Sequence, residues 1–335
     1  MQGEDCEFSH VPIIDIESLV RGDDSSRVAY EINRACSECG FFYVVGHGVD
    51  PALRTRLETL AQEFFALSHE KKMAIRMSRS GRAWRGYFPV GAELTSGRPD
   101  AKEGLYFGTE LGHDHPDSAR LPLHGANLFP NEWPEFRSTV LAYMSALTNL
   151  GHVLMSAIAM GLGLDAAYFA DRYTKDPLIL FRIFNYPAQT NLESSWGVGE
   201  HTDYGLLTIL AQDDAGGLEV KSRSQWIVAP PIPNSFICNI GDMLERMTGG
   251  RYRSTPHRVR NRAGRDRLSF PFFFDPNFRA EIRPIEVPGL EFVAADRSER
   301  WDQASAHEFT GTYGDYLLRK VSKVFPQLVQ QALTE

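Results

Sequence analysis

Cysteine is scarce in this 335-residue sequence: Cys6, Cys36, Cys39 and Cys238 are the full set, too few for a disulfide framework in a chain of this size. Cys36-Ser-Glu-Cys39 has redox-pair spacing, but it ends a helical stretch and runs into Phe41-Phe-Tyr-Val-Val, so two buried thiols are expected. No uninterrupted apolar run is long enough to cross a bilayer. Nor does Met1–Cys6 show a basic region followed by an apolar core, so no secretory signal is expected. These absences predict a soluble, intracellular, cytoplasmic protein with no membrane partner. Basic blocks are missing too: a formal net charge of −8 and a pI near 5.7 argue against nucleic acid as a partner. The local run Arg79-Ser-Gly-Arg-Ala-Trp-Arg85 is either a solvated loop or a contact for an anionic substrate. Repeats and low-complexity tracts are absent as well. The 43% hydrophobic content supplies a large core, for one large domain or two small ones.

The patterns that are present describe a mixed α and β chain. Val11–Ile16 reads as a strand, Ser25 or Ser26 caps a helix running to about Gly40, and Phe41–Gly46 reads as a buried strand. Asp50-Pro51 starts a helix that continues through Phe65, with proline at the first helical position. Met77 to about Pro130 is rich in Gly, Pro and charge and shows little regular pattern apart from Glu103–Gly108; a stretch this long inside a compact protein points to function. Trp133-Pro134 opens a helix to about Gly163 that is apolar around much of its circumference, a buried spine. A shorter helix, Ala166–Arg172, follows. From Leu178 short strands recur, at 178–187, 206–211, 217–221, 226–228, 235–240, 257–261 and 267–274, split by Asp-Asp-Ala-Gly-Gly, Pro-Pro-Ile-Pro and Gly-Gly breaks. That rhythm predicts a double-stranded β-helix, or jelly-roll, core flanked by helices. A closing helix from about Glu308 to Val324 carries Phe309, Tyr313, Tyr316 and Leu317 at helical spacing, suited to packing over the barrel mouth. Two regions result: 1–128, which completes the sheet and covers the mouth, and 129–335, with the spine, the jelly-roll core (about 178–276) and the closing helix.

Chemistry concentrates between His201 and Ser269. Glu200-His201-Thr-Asp203-Tyr reads as strand, so His201 and Asp203 leave one face as a pair of metal ligands. His257, in Ser254-Thr-Pro-His257, is far enough along for intervening strands to return it beside them. Two imidazoles and a carboxylate on one face form the facial triad of non-haem Fe(II) sites, with three positions left for substrate and oxygen. Zinc also accepts such ligands, though it usually leaves one position open. Ten residues on, Arg267-Leu-Ser269 places a guanidinium and a hydroxyl on one side, a grip for a carboxylate. By the same parity Pro271 and Phe273 face inward, whereas Phe270, Phe272 and Phe274 face the helices. Tyr204 either meets a substrate or packs within the strand.

Each motif alone is weak. In this order and spacing, His201-Thr-Asp203, His257 and Arg267-Leu-Ser269 resemble the iron(II)- and 2-oxoglutarate-dependent dioxygenases, specifically the isopenicillin N synthase-like branch. Cys39-Gly-Phe-Phe-Tyr-Val-Val-Gly-His47-Gly-Val49 and Phe64-Phe-Ala-Leu-Ser-His-Glu-Lys-Lys-Met73 are similar to that family's N-terminal region. The resemblance implies that O2 and 2-oxoglutarate are consumed, with succinate and CO2 formed, while a small-molecule substrate is hydroxylated, desaturated or cyclised. It further implies that Tyr186 completes the grip on the co-substrate's far carboxylate, that Arg85, Tyr87 and Tyr106 lie near the mouth as substrate contacts or loop braces, and that His47 and Asn239-Ile-Gly-Asp242 are structural. Phe309 and Tyr313 are pocket or core. Two rivals stay open: an Fe(II) oxidase of the isopenicillin N synthase type that needs no 2-oxoglutarate, and a metabolite-binding module without turnover.

Overall fold

The computed structural model describes residues 7–95, 97–188, 197–261, 263–286 and 311–324. Its core is a pair of facing sheets. The larger runs in the spatial order Ile13–Asp15, Phe41–Val45, Phe236–Ile240, Leu207–Gln212, Arg267–Asp275, Leu178–Tyr186, Glu103–Gly108, Gly86–Phe88; the smaller in the order Trp226–Ala229, Leu218–Lys221, His257–Val259, Val198–His201. Antiparallel pairing dominates among the described strands, and Ile13–Asp15 joins its neighbour in parallel. This is the expected jelly roll, and every strand anticipated from Leu178 onward is present within about two residues.

The spine helix spans Pro134–Gly161 and buries Phe136, Val140, Leu147, Leu154 and Ile158 against the sheet and the helices Ser26–Glu38 and Pro51–Phe65. By length and composition it is apolar enough to cross a bilayer, although Ser138, Thr139, Ser145, Thr148, Asn149, His152 and Ser156 interrupt its apolar run. Its apolar stripe is instead covered by protein. Gly151 gives the ring of Phe274 its place: a Cβ there would stand 2.4 Å from Phe274 Cδ2. Asp50 caps the Pro51 helix as expected, its Oδ1 accepting from the Ala52 amide at 2.8 Å. Ser25 makes no such bond, and the amide of Ser26 donates to Asp24 Oδ1 instead. Cys36, Cys39 and Cys238 are buried free thiols.

Residues 77–130 are more regular than their composition suggests. Gly86–Phe88 and Glu103–Gly108 pair with each other, and the latter pairs with Leu178–Tyr186, so this region extends the main sheet. Short strands interrupted by Gly and Pro leave too few residues for a period-two pattern to be visible. The closing helix is described from Tyr313 to Val324; Phe309 lies outside the described residues. Two phenols pin this helix down: Tyr313 donates to Asp275 Oδ2 at 2.5 Å and Tyr316 to Asp242 Oδ2 at 2.8 Å.

Candidate active site

Strand register builds the site. His257 stands directly across from His201 in the smaller sheet, which brings the two ring centres to 4.3 Å. Each ring turns Nδ1 toward the carbonyl two residues upstream, His201 to Gly199 at 2.8 Å and His257 to Thr255 at 3.2 Å. A carbonyl can only accept, so both Nδ1 atoms carry the proton and both Nε2 lone pairs point away, free to ligate. Asp203 does not continue the strand as expected. Strand Val198–His201 ends at His201, and Asp203 sits in the bend that follows, held because its carbonyl accepts from the Asp242 amide at 2.8 Å. Gly205 and Gly241 make that bend possible by packing backbone on backbone, where a Cβ on Gly241 would lie 2.4 Å from the Gly205 oxygen.

The bend aims the carboxylate. Asp203 Oδ2 accepts from Thr208 Oγ1 at 2.5 Å and Asn239 Nδ2 at 2.7 Å, while Oδ1 faces the imidazoles, 4.0 Å from His201 Nε2 and 3.8 Å from His257 Nε2. The three ligand atoms lie within 4.8 Å of one another, near enough for one ion to touch all three. Burial lowers the pKa of His201, and burial together with the neighbouring His201 brings His257 down to about 4, so both imidazoles are neutral at pH 7. Burial alone would raise Asp203, but the two imidazoles and the bonds from Asn239 and Thr208 hold it below the usual carboxylate range. Neutral imidazoles with an ionised carboxylate are the donor set that a hard to borderline divalent cation requires. Asn239 and Thr208 therefore work as positioning groups. Asn239→Ala is expected to weaken Fe(II) affinity on the order of 10- to 100-fold with the fold intact, measured by anaerobic metal titration alongside circular dichroism.

The second half of the site follows from another register. Arg267 is the strand partner of Tyr186, and its guanidinium carbon lies 4.7 Å from that ring's centre. Nε donates to the Gly216 carbonyl, but Nη1 and Nη2 are buried with no hydrogen-bond partner among the described residues. Orphaned guanidinium nitrogens are costly unless something absent from the chain completes them, and a carboxylate matches their geometry. Ser269 and Tyr186 border the same cavity of about 490 Å³ that the metal ligands line.

The remaining candidates divide by strand parity. Tyr106, Tyr204, Phe273 and Tyr313 line the cavity, as do Arg85 and, from the closing helix, Leu317, which is both core and pocket. Tyr87 does not. It pairs with Leu105 on the outer face, and its hydroxyl donates to Glu103 Oε2 at 2.5 Å, beside Lys72. Tyr87 is a brace. Reading the sequence missed Arg182 and Lys102, yet the signal was available: Leu180, Arg182 and Phe184 share parity with Tyr186, and Lys102 and Gly104 share it with Tyr106. Lys102 is buried with Nζ 2.7 Å from Asp100 Oδ2 and 3.1 Å from Glu93 Oε2; burial opposes its charge, but those two carboxylates raise its pKa above the ordinary range. Asp275 is pushed up to about 7 by burial, with the nearby Asp203 charge adding to the shift.

Comparison with known proteins agrees with this geometry. Residues 11–135 match the model of the non-haem dioxygenase N-terminal region named for morphine synthesis, and residues 175–276 that of the 2OG-Fe(II) oxygenase superfamily. A probable iron/ascorbate oxidoreductase of Dictyostelium discoideum is 54% identical, the match covering 98% of this chain and 99% of that protein. A 1-aminocyclopropane-1-carboxylate oxidase of Dictyostelium mucoroides is 41% identical over 97% and 98% of the two chains. Among solved structures, a full-length Neurospora crassa protein crystallised in complex with alpha-KG and thymine superposes with a TM-score of 0.78 at 30% identity, covering 95% of this chain and 98% of that one. With a His-Asp-His cluster, a guanidinium whose Nη1 and Nη2 have no partner among the described residues, and a jelly roll to carry them, this chain belongs to the 2OG-Fe(II) oxygenase superfamily and is an iron- and 2-oxoglutarate-dependent oxidoreductase of a small molecule.

Proposed function

We propose that His201, Asp203 and His257 hold the Fe(II) ion, that Arg267 with Ser269 and Tyr186 holds the distal carboxylate of 2-oxoglutarate, and that the organic substrate occupies the space between them and the closing helix. The observation that carries this reading is the pair of Arg267 nitrogens with no partner among the described residues, packed against Tyr186, which with Ser269 lines the cavity that the three ligands share. Bound there, iron supplies oxygen activation coupled to the conversion of 2-oxoglutarate to succinate and CO2. The protein's own contribution is orientation and the exclusion of water. Thr208 and Asn239 aim Asp203, the histidine carbonyl contacts fix the ligating tautomer, and the closing helix covers the cavity with Leu317 and Val321.

The division of labour follows the two regions. Residues 1–128 extend the sheet and supply Trp84, Arg85, Lys102 and Tyr106 to the wall, while 129–335 supply the ligands and the grip. A cytoplasmic location and action on a free small molecule, not on nucleic acid or at a membrane, are part of this proposal, supported by the acidic balance and by a cavity sized for a small molecule. The experiment is succinate formation by the Fe(II)-loaded chain. Succinate that depends on added 2-oxoglutarate is expected; oxygen consumption without succinate would return the protein to the 2-oxoglutarate-independent oxidases.

A further inference from the structure

Two buried guanidiniums on the cavity wall have no carboxylate in contact among the described residues. Arg182 and Arg85 both line the cavity and are more than nine-tenths buried, and neither has a carboxylate within ion-pair distance among the described residues. Arg182 is the strand partner of Tyr106, with Cζ 3.4 Å from that ring's centre, and its Nη1 reaches the Phe107 and Phe181 carbonyls at 3.3 Å. Tyr106 stacks on one face of the guanidinium and shares a hydrogen bond with it, so the group is held rigidly on the cavity wall with its charge unmatched by a carboxylate in contact among the described residues. Arg85 donates Nη2 to the Leu123 carbonyl at 2.6 Å, and its Nε is buried without a partner among the described residues.

The surroundings are built around these charges. Gly108 yields its side-chain space to Arg85, since a Cβ there would stand 2.0 Å from Nη2. Trp84, next to Arg85, and Leu123, its carbonyl partner, both hold positive φ, 54° and 62°, a strained conformation for bulky residues that persists only where the surroundings enforce it. Burial disfavours the charge on Arg182, and Tyr106, with Glu93 and Asp275 acting through space, offsets part of that cost. Burial brings Arg85 down to about 9, with repulsion from Arg182 adding to the shift and Glu110 opposing it through space. Two like charges in a dry wall are costly unless an anion completes them.

We infer that Arg182 and Arg85 form an anion subsite distinct from Arg267, and that the organic substrate of this oxygenase carries a carboxylate which they receive. The inference rests on the functional reading above and narrows its substrate to carboxylic acids. Arg267 lies on strand Arg267–Asp275 with Gly216 and Tyr186 as its contacts, whereas Arg182 and Arg85 share the Tyr106 and Leu123 wall, so one carboxylate does not serve both.

The test uses the full chain loaded with Mn(II) and saturating 2-oxoglutarate, which keeps the Arg267 site filled. Calorimetric titration compares acetate, hexanoate and 3-phenylpropionate with their primary amides, and with inorganic phosphate. At least one acid is expected to bind ten times or more tighter than its amide. Arg182→Gln should shrink that ratio below about threefold while leaving the Kd for 2-oxoglutarate within twofold of wild type, and Arg182→Lys should retain part of the preference. Equal binding of acid and amide, saturable binding of no acid, a preference for phosphate over every acid, or an acid preference that survives Arg182→Gln would each overturn the subsite. Failure of wild type to bind 2-oxoglutarate would instead overturn the functional reading, so the two are told apart.

Discussion

Asp203→Ala is expected to abolish turnover. The carboxylate is the one anionic member of the ligand set, and both imidazoles are held neutral, so its loss leaves a dication facing only neutral donors in a buried cavity. Leaving a buried charge uncompensated costs about 3–5 kcal/mol, which at 1.4 kcal/mol per decade is roughly a thousandfold in metal affinity. The substitution also strands Thr208 and Asn239, whose donors converge on Oδ2. Succinate formation measured with excess Fe(II) should fall to background while the circular dichroism spectrum is retained. Turnover within tenfold of wild type would refute the ligand assignment.

Arg267→Ala is expected to act differently, through the co-substrate. Its two unpartnered nitrogens are placed for a bidentate, charge-assisted grip that alanine cannot replace. Hydrogen bonds to charged groups contribute about 1.5–3 kcal/mol each, so a loss near 3 kcal/mol, or roughly 150-fold, is the expected rise in the 2-oxoglutarate KM, with kcat at saturation within about threefold. Arg267→Lys should fall between, because an ammonium supplies the charge without the fork. A KM unchanged in Arg267→Ala would place the co-substrate carboxylate elsewhere.

Most of this site was readable from side-chain identity and spacing, because metal ligation and carboxylate binding each demand particular groups. Parity along 267–275 correctly placed Ser269, Pro271 and Phe273 on the cavity and Phe274 against the spine helix. What escaped the sequence depended on contacts between distant segments. Asp203 reads as strand by spacing, yet it is the Asp242 amide, 39 residues on, that fixes the bend and turns its carboxylate inward. Tyr87 and Tyr106 look equivalent in sequence; pairing with Glu103–Gly108 puts one outside and one inside. Parity with Tyr186 places Arg182 on the inward face, but its stacking over Tyr106 comes only from the register with Glu103–Gly108. The closing helix was legible from its period, while the hydroxyls that secure it to Asp275 and Asp242 were not.

The most direct measurement of the central claim is the iron content of the full chain after anaerobic loading with Fe(II) and exhaustive dialysis, for wild type and for His201→Ala, Asp203→Ala and His257→Ala. One iron per wild-type chain is expected, with each variant retaining almost none. Iron held one per chain by all three variants would show that the ion sits elsewhere, and the site described here would not be the reaction centre.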